Sequence, residues 1–165
     1  MQYKITGSTM PVLELTLANG EGVLAESGEF SWMSDNVDMR TTTTGGAGGL
    51  MGVIGRALSG GTLLMTEYRA NGGDALVAFA AHVPGSILKI DVAPPQAYMV
   101  HKHGFVCATS GVSYGMGLQR SLGARIFGGD GLFQARLTGP GRVWLQSMAV
   151  SRLAHAIAPY IAQSK

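Results

Sequence analysis

The residues with the most chemical potential in this chain form one short run, His101-Lys102-His103, with Cys107 close behind. On a strand, residues two apart share a face, so both imidazoles would project together, as in metal-binding β-barrels such as the cupins. A cupin pattern then wants a glutamate a few residues on, and here Phe105-Val106-Cys107-Ala108 follows instead. Cys107 would be a soft third ligand, but its apolar strand neighbours mark it for packing. No metal is therefore assigned. His101 and His103 are kept as the candidate pair for the alternative reading, a small-ligand or metal-binding β-barrel.

Other spacings that imitate chemistry are weaker. The run Gly45–Gly55 resembles a phosphate-cradling loop but lacks Gly-Lys-Ser/Thr and a surrounding strand–turn–helix unit. Gly111-Val112-Ser113-Tyr114-Gly115 has the letters of a hydrolase nucleophile elbow without the α/β context that exposes the serine. Glu14, Glu21, Glu26 and Glu29 alternate outward along strands or sit in turns, which reads as a solvated face rather than a catalytic pair. Asp130 suits the ordering of its own turn, by accepting from nearby backbone N–H groups. Phe133 and Trp144 suit core anchoring, and nothing marks them as a platform for stacked bases. No catalytic or cofactor-binding residue is assigned, no cofactor is expected, and the chain is read as not an enzyme.

The elements that must carry these residues are strands. Val12–Leu17 alternates into Asn19-Gly20, and 63–68 alternates into Asn71-Gly72. A related third segment, 132–137, runs into Gly139-Pro140-Gly141 and then Val143-Trp144-Leu145. Alternation into Asn-Gly predicts a β-hairpin, because both turn residues tolerate φ > 0. Three such texts predict a repeated hairpin module. Leu24–Phe30 and Val100–Phe105 extend the likeness through Gly28 and Gly104.

Strands are predicted at 3–6, 12–17, 23–25 and 30–33, then at 62–68, 75–81, 86–91, 98–101 and 105–108, with a further β block over 126–148. This divides a single domain, 1–165, into module one (3–40), a connector (41–61), module two (62–112) and a closing hairpin with C-terminal helix (126–163). The connector holds one short helical turn or strand near 50–58. Val150, Leu153, Ala154, Ile157 and Ile161 fall on one face of a helix near 147–158, which Pro159 bends or ends.

Composition narrows the class further. In 165 residues, 46% are apolar and only 13% charged, about half the ~25% charge of ordinary soluble domains. So little charge predicts apolar surface buried between subunits. The 25 glycines fit many turns. The net charge of +2 is dispersed and leaves no concentrated basic patch for nucleic acid. One cysteine excludes an intrachain disulfide. No secretory leader and no spanning apolar run is evident, so a cytoplasmic location is expected.

Several motifs together carry a family resemblance. Phe127-Gly128-Gly129-Asp130-Gly131-Leu132-Phe133, followed by 137–146, resembles the closing signature of the AIM24 family. So do Ser59-Gly60-Gly61-Thr62 with the apolar residues after it, Ala80-Ala81-His82-Val83-Pro84-Gly85, and Glu26-Ser27-Gly28. The likeness covers roughly residues 3–155. It implies an all-β fold similar to the trp RNA-binding attenuation protein (TRAP), built from repeated antiparallel modules, and it supplies no catalytic motif. The turn positions Gly28, Gly61, Gly85, Gly104, Gly128, Gly129, Asp130, Gly131, Gly139 and Gly141 are assigned structural roles. Longer members of the family carry a further module where this chain has only 113–126.

The function expected on this basis is a non-enzymatic oligomeric scaffold or binding module. Its first partner is itself, as a homo-oligomer assembled mainly through the β-blocks. An unidentified protein or a membrane-associated partner is a further candidate. An RNA-binding ring by analogy with TRAP is the second alternative, although no lysine-rich RNA edge or tryptophan pocket is recognisable.

Overall fold

The computed structural model describes residues 1–42, 64–117 and 134–161. Their strands are β1 (Gln2–Thr6), β2 (Val12–Leu17), β3 (Gly22–Glu26), β4 (Trp32–Met33), β5 (Val37–Thr42), β6 (Met65–Ala70), β7 (Ala75–Ala80), β8 (Ile87–Val92), β9 (Ala97–His101), β10 (Phe105–Thr109), β11 (Ser113–Gly117), β12 (Gln134–Thr138) and β13 (Gly141–Gln146). Helix α1 (Val150–Ile157) follows and ends in a 3-10 turn, Ala158–Tyr160, that contains Pro159.

The strands form three antiparallel sheets, ordered β1-β2-β7-β4, β5-β6-β3-β10-β13-β8 and β11-β12-β9. The six-stranded sheet lies in the middle. Its first face packs on the four-stranded sheet, where Leu13, Leu15, Leu17, Val77 and Phe79 meet Val23, Ala25, Tyr68, Cys107 and Trp144. Its second face packs on the three-stranded sheet, where Leu24, Phe105, Ala108 and Val143 meet Tyr114, Ala135 and Leu137. Burial on both faces explains the continuous apolar text of Val23-Leu24-Ala25, where consecutive residues enter different cores. Strands of the outer, four-stranded sheet show the half-buried pattern instead: in β2, Leu13, Leu15 and Leu17 are buried while Glu14 and Thr16 point away.

The all-β, antiparallel architecture is the one read from the sequence, but the hairpins are not. β2 and β3 lie in different sheets, as do β6 and β7, and β12 and β13. Each turn is an arch between layers. The first two arches pair with each other, β2 with β7 and β3 with β6, so each strand finds its partner in the other module. Their turns also meet: the Gly72 N–H donates to Asn19 Oδ1 at 3.0 Å, and the Gly20 N–H donates to the Ala70 carbonyl at 2.9 Å. Gly20 (φ +82°) and Gly72 (φ +78°) take the backbone region that the Asn-Gly text foretold. That conformation serves an arch as well as a hairpin, which is why local text did not reveal the pairing.

Other expectations also change. The strand predicted at 30–33 contracts to Trp32–Met33. β5 lies in what was read as the end of module one and the start of the connector, because the polar text Asp38-Met39-Arg40-Thr41 of an edge strand lacks clean alternation. β11 falls where no strand is predicted, among glycines, yet Tyr114 within it is buried against Phe105. The rest of the connector with its helical turn near 50–58, and Gly61, Gly128, Gly129, Asp130, Gly131 and Phe133, lie outside the described residues.

Candidate functional site

The predicted pair separates from strand geometry. β9 ends at His101, and Lys102–Gly104 form a 3-10 turn, so the same-face rule for residues two apart does not apply across it. The rings still lie near each other, with centroids 5.4 Å apart. The backbone N–H of His103 donates to His101 Nδ1 at 3.3 Å, which uses one of that ring's nitrogens. Cys107 does not join them. A bulge between Phe105 and Cys107 in β10 shifts the register against β13, so Phe105 enters the second core and Cys107 the first. Cys107 is fully buried, and burial pushes its thiol well above the usual range. Among the described residues no three His, Cys, Asp or Glu side chains converge into a metal site.

A different set of residues comes together at the end of the strands opposite the Asn-Gly turns. There a cleft of about 340 Å³ is lined by Glu26, Glu29, His82, His103, Gln146 and Ser151, with Phe79, Phe105, Val106 and Val150 as apolar walls. Each element delivers its residue by ending there: β3 ends at Glu26, β7 at Ala80 and β13 at Gln146, while α1 begins at Val150. His82 Nδ1 lies 3.3 Å from Glu29 Oε2. The Tyr114 hydroxyl donates to Glu26 Oε1 at 3.4 Å. Burial, with the Glu26 carboxylate beside it, holds the Tyr114 phenol well above its ordinary range. Gln146 is buried and locks the wall: its Nε2 donates to the Val83 carbonyl at 2.8 Å, and its Oε1 accepts from the His82 N–H at 3.4 Å. Among the described residues, the buried Ser151 hydroxyl has no hydrogen-bond partner.

This cleft presents carboxylates and imidazoles against apolar walls. That suits an organic molecule with a positively charged or hydrogen-bond-donating group more than an anion. Of the predicted pair, His103 lines it and His101 is not among its lining residues. Glu26 and Glu29, read from the sequence as solvated, border it. Glu14 lies half-buried on β2, and Glu21 receives the Met1 ammonium at 2.8 Å. Only Gln146 carried a legible signal: alternation places it on the same side of β13 as the buried Trp144, an inward position that demands partners for a polar side chain. Ser113, from the false nucleophile elbow, is exposed on β11. The assigned turn glycines that are described scatter over the fold: Gly28 follows β3, Gly85 packs near Ser147, Gly104 lies beside the Gln146 carbonyl, and Gly139 and Gly141 flank the last arch.

Comparison with known proteins assigns the chain to a family. The family model described as Mitochondrial biogenesis AIM24 matches residues 3–157. The chain belongs to the AIM24 family. It is 29% identical over 152 residues to an uncharacterized protein of Streptococcus pyogenes serotype M6, a match covering 89% of this chain and 60% of that protein. It thus spans about 60% of the length of that curated relative. A crystal structure of a Streptococcus pyogenes protein is similar at 18% identity with a TM-score of 0.48, covering 97% of this chain and 99% of that one. Among the described residues, no helix is long and apolar enough to cross a membrane.

Proposed function

We propose that this AIM24-family chain is a non-enzymatic binding module that works as a homo-oligomer and presents its assembled surface to a protein or membrane-associated partner. The observation that carries this reading is apolar surface that the described residues leave uncovered. Helix α1 has an apolar face but buries none of its residues, and Val150 and Ile157 are 46% and 47% exposed. Leu88, Met99 and Met39, on strands at sheet edges, are about half exposed as well. Unpaired strand edges bearing apolar side chains favour association unless something covers them. Light scattering tests the proposal: the expected mass is a multiple of 17.2 kDa at micromolar concentration, and a monomer overturns it.

The cleft favours a second reading, a small-ligand site that uses His103 but not His101. Its volume falls within the roughly 300–1,000 Å³ of small-molecule sites. A thermal-shift screen of organic amines tests it. A saturable stabilisation that disappears in a Glu26→Gln, Glu29→Gln double variant supports this reading, and no shift from any amine removes it.

A further inference from the structure

We infer that β8 is a dimerisation strand, and that two copies of the chain join their six-stranded sheets by antiparallel pairing of β8 with itself. This rests on the proposed self-association and names the surface that performs it. β8 is the last strand of its sheet, paired with β13 on one side, and its other side has no strand among the described residues.

The backbone polarity of that edge follows from its neighbour. The Ser86 N–H donates to Ser147 Oγ at 2.8 Å, and the Ser86 carbonyl accepts from the Ser147 N–H at 2.8 Å. Both main-chain groups of Ser86 therefore point towards β13. Along an antiparallel strand the direction alternates, so Leu88, Ile90 and Val92 also bond towards β13. Ile87, Lys89 and Asp91 then direct their N–H and C=O groups outward, ready for a second strand.

The side chains favour one register. A two-fold axis at Ile90 sets Lys89 of each copy opposite Asp91 of the other, in the positions that exchange main-chain hydrogen bonds. It sets Leu88 opposite Val92 on the other face. Cross-strand pairs of opposite charge stabilise such a ladder, whereas like charges oppose it. Within one chain the Lys89 Nζ and Asp91 Oδ2 atoms lie 2.7 Å apart, so this face already holds the two charges side by side. Leu88, 52% exposed, would extend the apolar row that Ile90 and Val92 lay against the second core.

The edge of β1 fits less well. A two-fold register centred in β1 sets Lys4 against Lys4. β5 also carries opposite charges two apart, Asp38 and Arg40, and is the competing edge, which charge reversal at Lys89 and Asp91 distinguishes from β8. An isologous β8 contact is self-complementary and closed, as a two-fold interface must be.

The test is charge reversal and rescue, read by analytical ultracentrifugation on the full chain. Lys89→Glu sets like charges opposite one another at both symmetric positions and should raise the dimer dissociation constant by about tenfold or more. Asp91→Lys should do the same, and the Lys89→Glu, Asp91→Lys double variant should return it to near the wild-type value. Circular dichroism confirms that each variant folds. An Ile90→Cys variant adds a second readout, since directly opposed residues in a non-hydrogen-bonded pair sit about 4.5 Å apart at Cα, within disulfide reach. It should cross-link to a dimer under mild oxidation, while the buried Cys107 of the wild type does not. A wild-type monomer overturns both this inference and the proposed self-association. An oligomer that ignores both reversals and leaves Ile90→Cys uncrosslinked overturns the β8 assignment alone.

Discussion

At Asn19-Gly20 and Asn71-Gly72 the chain passes between sheets through open space. At Gly139-Pro140-Gly141 it makes the same kind of passage pressed against its neighbours. A Cβ on Gly20 or Gly72 would meet nothing within 4 Å among the described residues, so those glycines are there for backbone conformation. A Cβ on Gly139 would collide with the main-chain carbonyl of Val92, and one on Gly141 with Thr109 and Val112. Similar turn text thus answers two demands, φ > 0 alone in the paired arches and close approach in the last one, where Gly141 also takes φ +156°. The paired arches stabilise each other through Asn19 and Ala70, whereas the last arch is held by β8 and β10.

The strongest way to break this contrast is Gly139→Ala. The added methyl meets backbone rather than a flexible side chain, so a loss of about 3 kcal/mol is expected from overpacking. Urea unfolding measures it, and a loss below that of Gly20→Ala would overturn the distinction. Gly20→Ala and Gly72→Ala should each cost about 1–2 kcal/mol, the penalty of the left-handed region for a residue with Cβ. Gly20→Asn should cost less than Gly20→Ala, because Asn tolerates that region, while Gly139→Asn should be worse than Gly139→Ala.

A subtler test concerns coupling. Asn19→Ala removes the acceptor of the Gly72 N–H and should cost about 0.5–1 kcal/mol at this exposed position. In a double-mutant cycle, Asn19→Ala and Gly72→Ala should be non-additive, and Asn19→Ala with Gly139→Ala should add. Additivity in the first pair would mean that the two turns lie side by side without supporting each other.

The smallest effect expected is pH dependence at the first arch, which has no counterpart in the last. The Met1 ammonium, and after it the Ala18 N–H, bond the Glu21 carboxylate and lower its pKa from 4.5. A carboxyl whose folded pKa is depressed contributes stability that is fully present above its unfolded pKa and is lost as pH falls through the folded value. Glu21 is 38% exposed, so solvent screens the pair and the slope should be shallow and weaken with salt. Glu21→Gln should flatten stability between pH 5 and pH 3 relative to wild type, in denaturation curves at stepped pH. An unchanged slope would show that the ammonium contributes nothing there.

Much of the molecule was legible from its text, for local reasons. Alternation in Val12–Leu17 put Leu13, Leu15 and Leu17 inward, and the helical spacing from Val150 to Ile157 produced α1, which gives way to a 3-10 turn at Pro159. The apolar company of Cys107 marked it for the core. Polar edge text concealed β5, and glycines concealed β11. The cleft was illegible because Glu26, Glu29, His82, His103, Gln146 and Ser151 come from separate segments. No spacing rule reaches across such separations.

The sequence alone therefore determined the positions of most strands, though not of β5 or β11, together with the faces of the half-buried strands and the conformation of the Asn-Gly turns. These depend on side-chain direction and on steric limits within a few residues. Only the tertiary structure decided that β2 pairs with β7 and β3 with β6, that the middle sheet is covered on both faces, and which strand ends enclose the cleft. Any strand offers the same backbone donors and acceptors on either side. Partner choice is therefore settled by which apolar faces close together best, a property of the whole packed chain rather than of any hairpin-length segment.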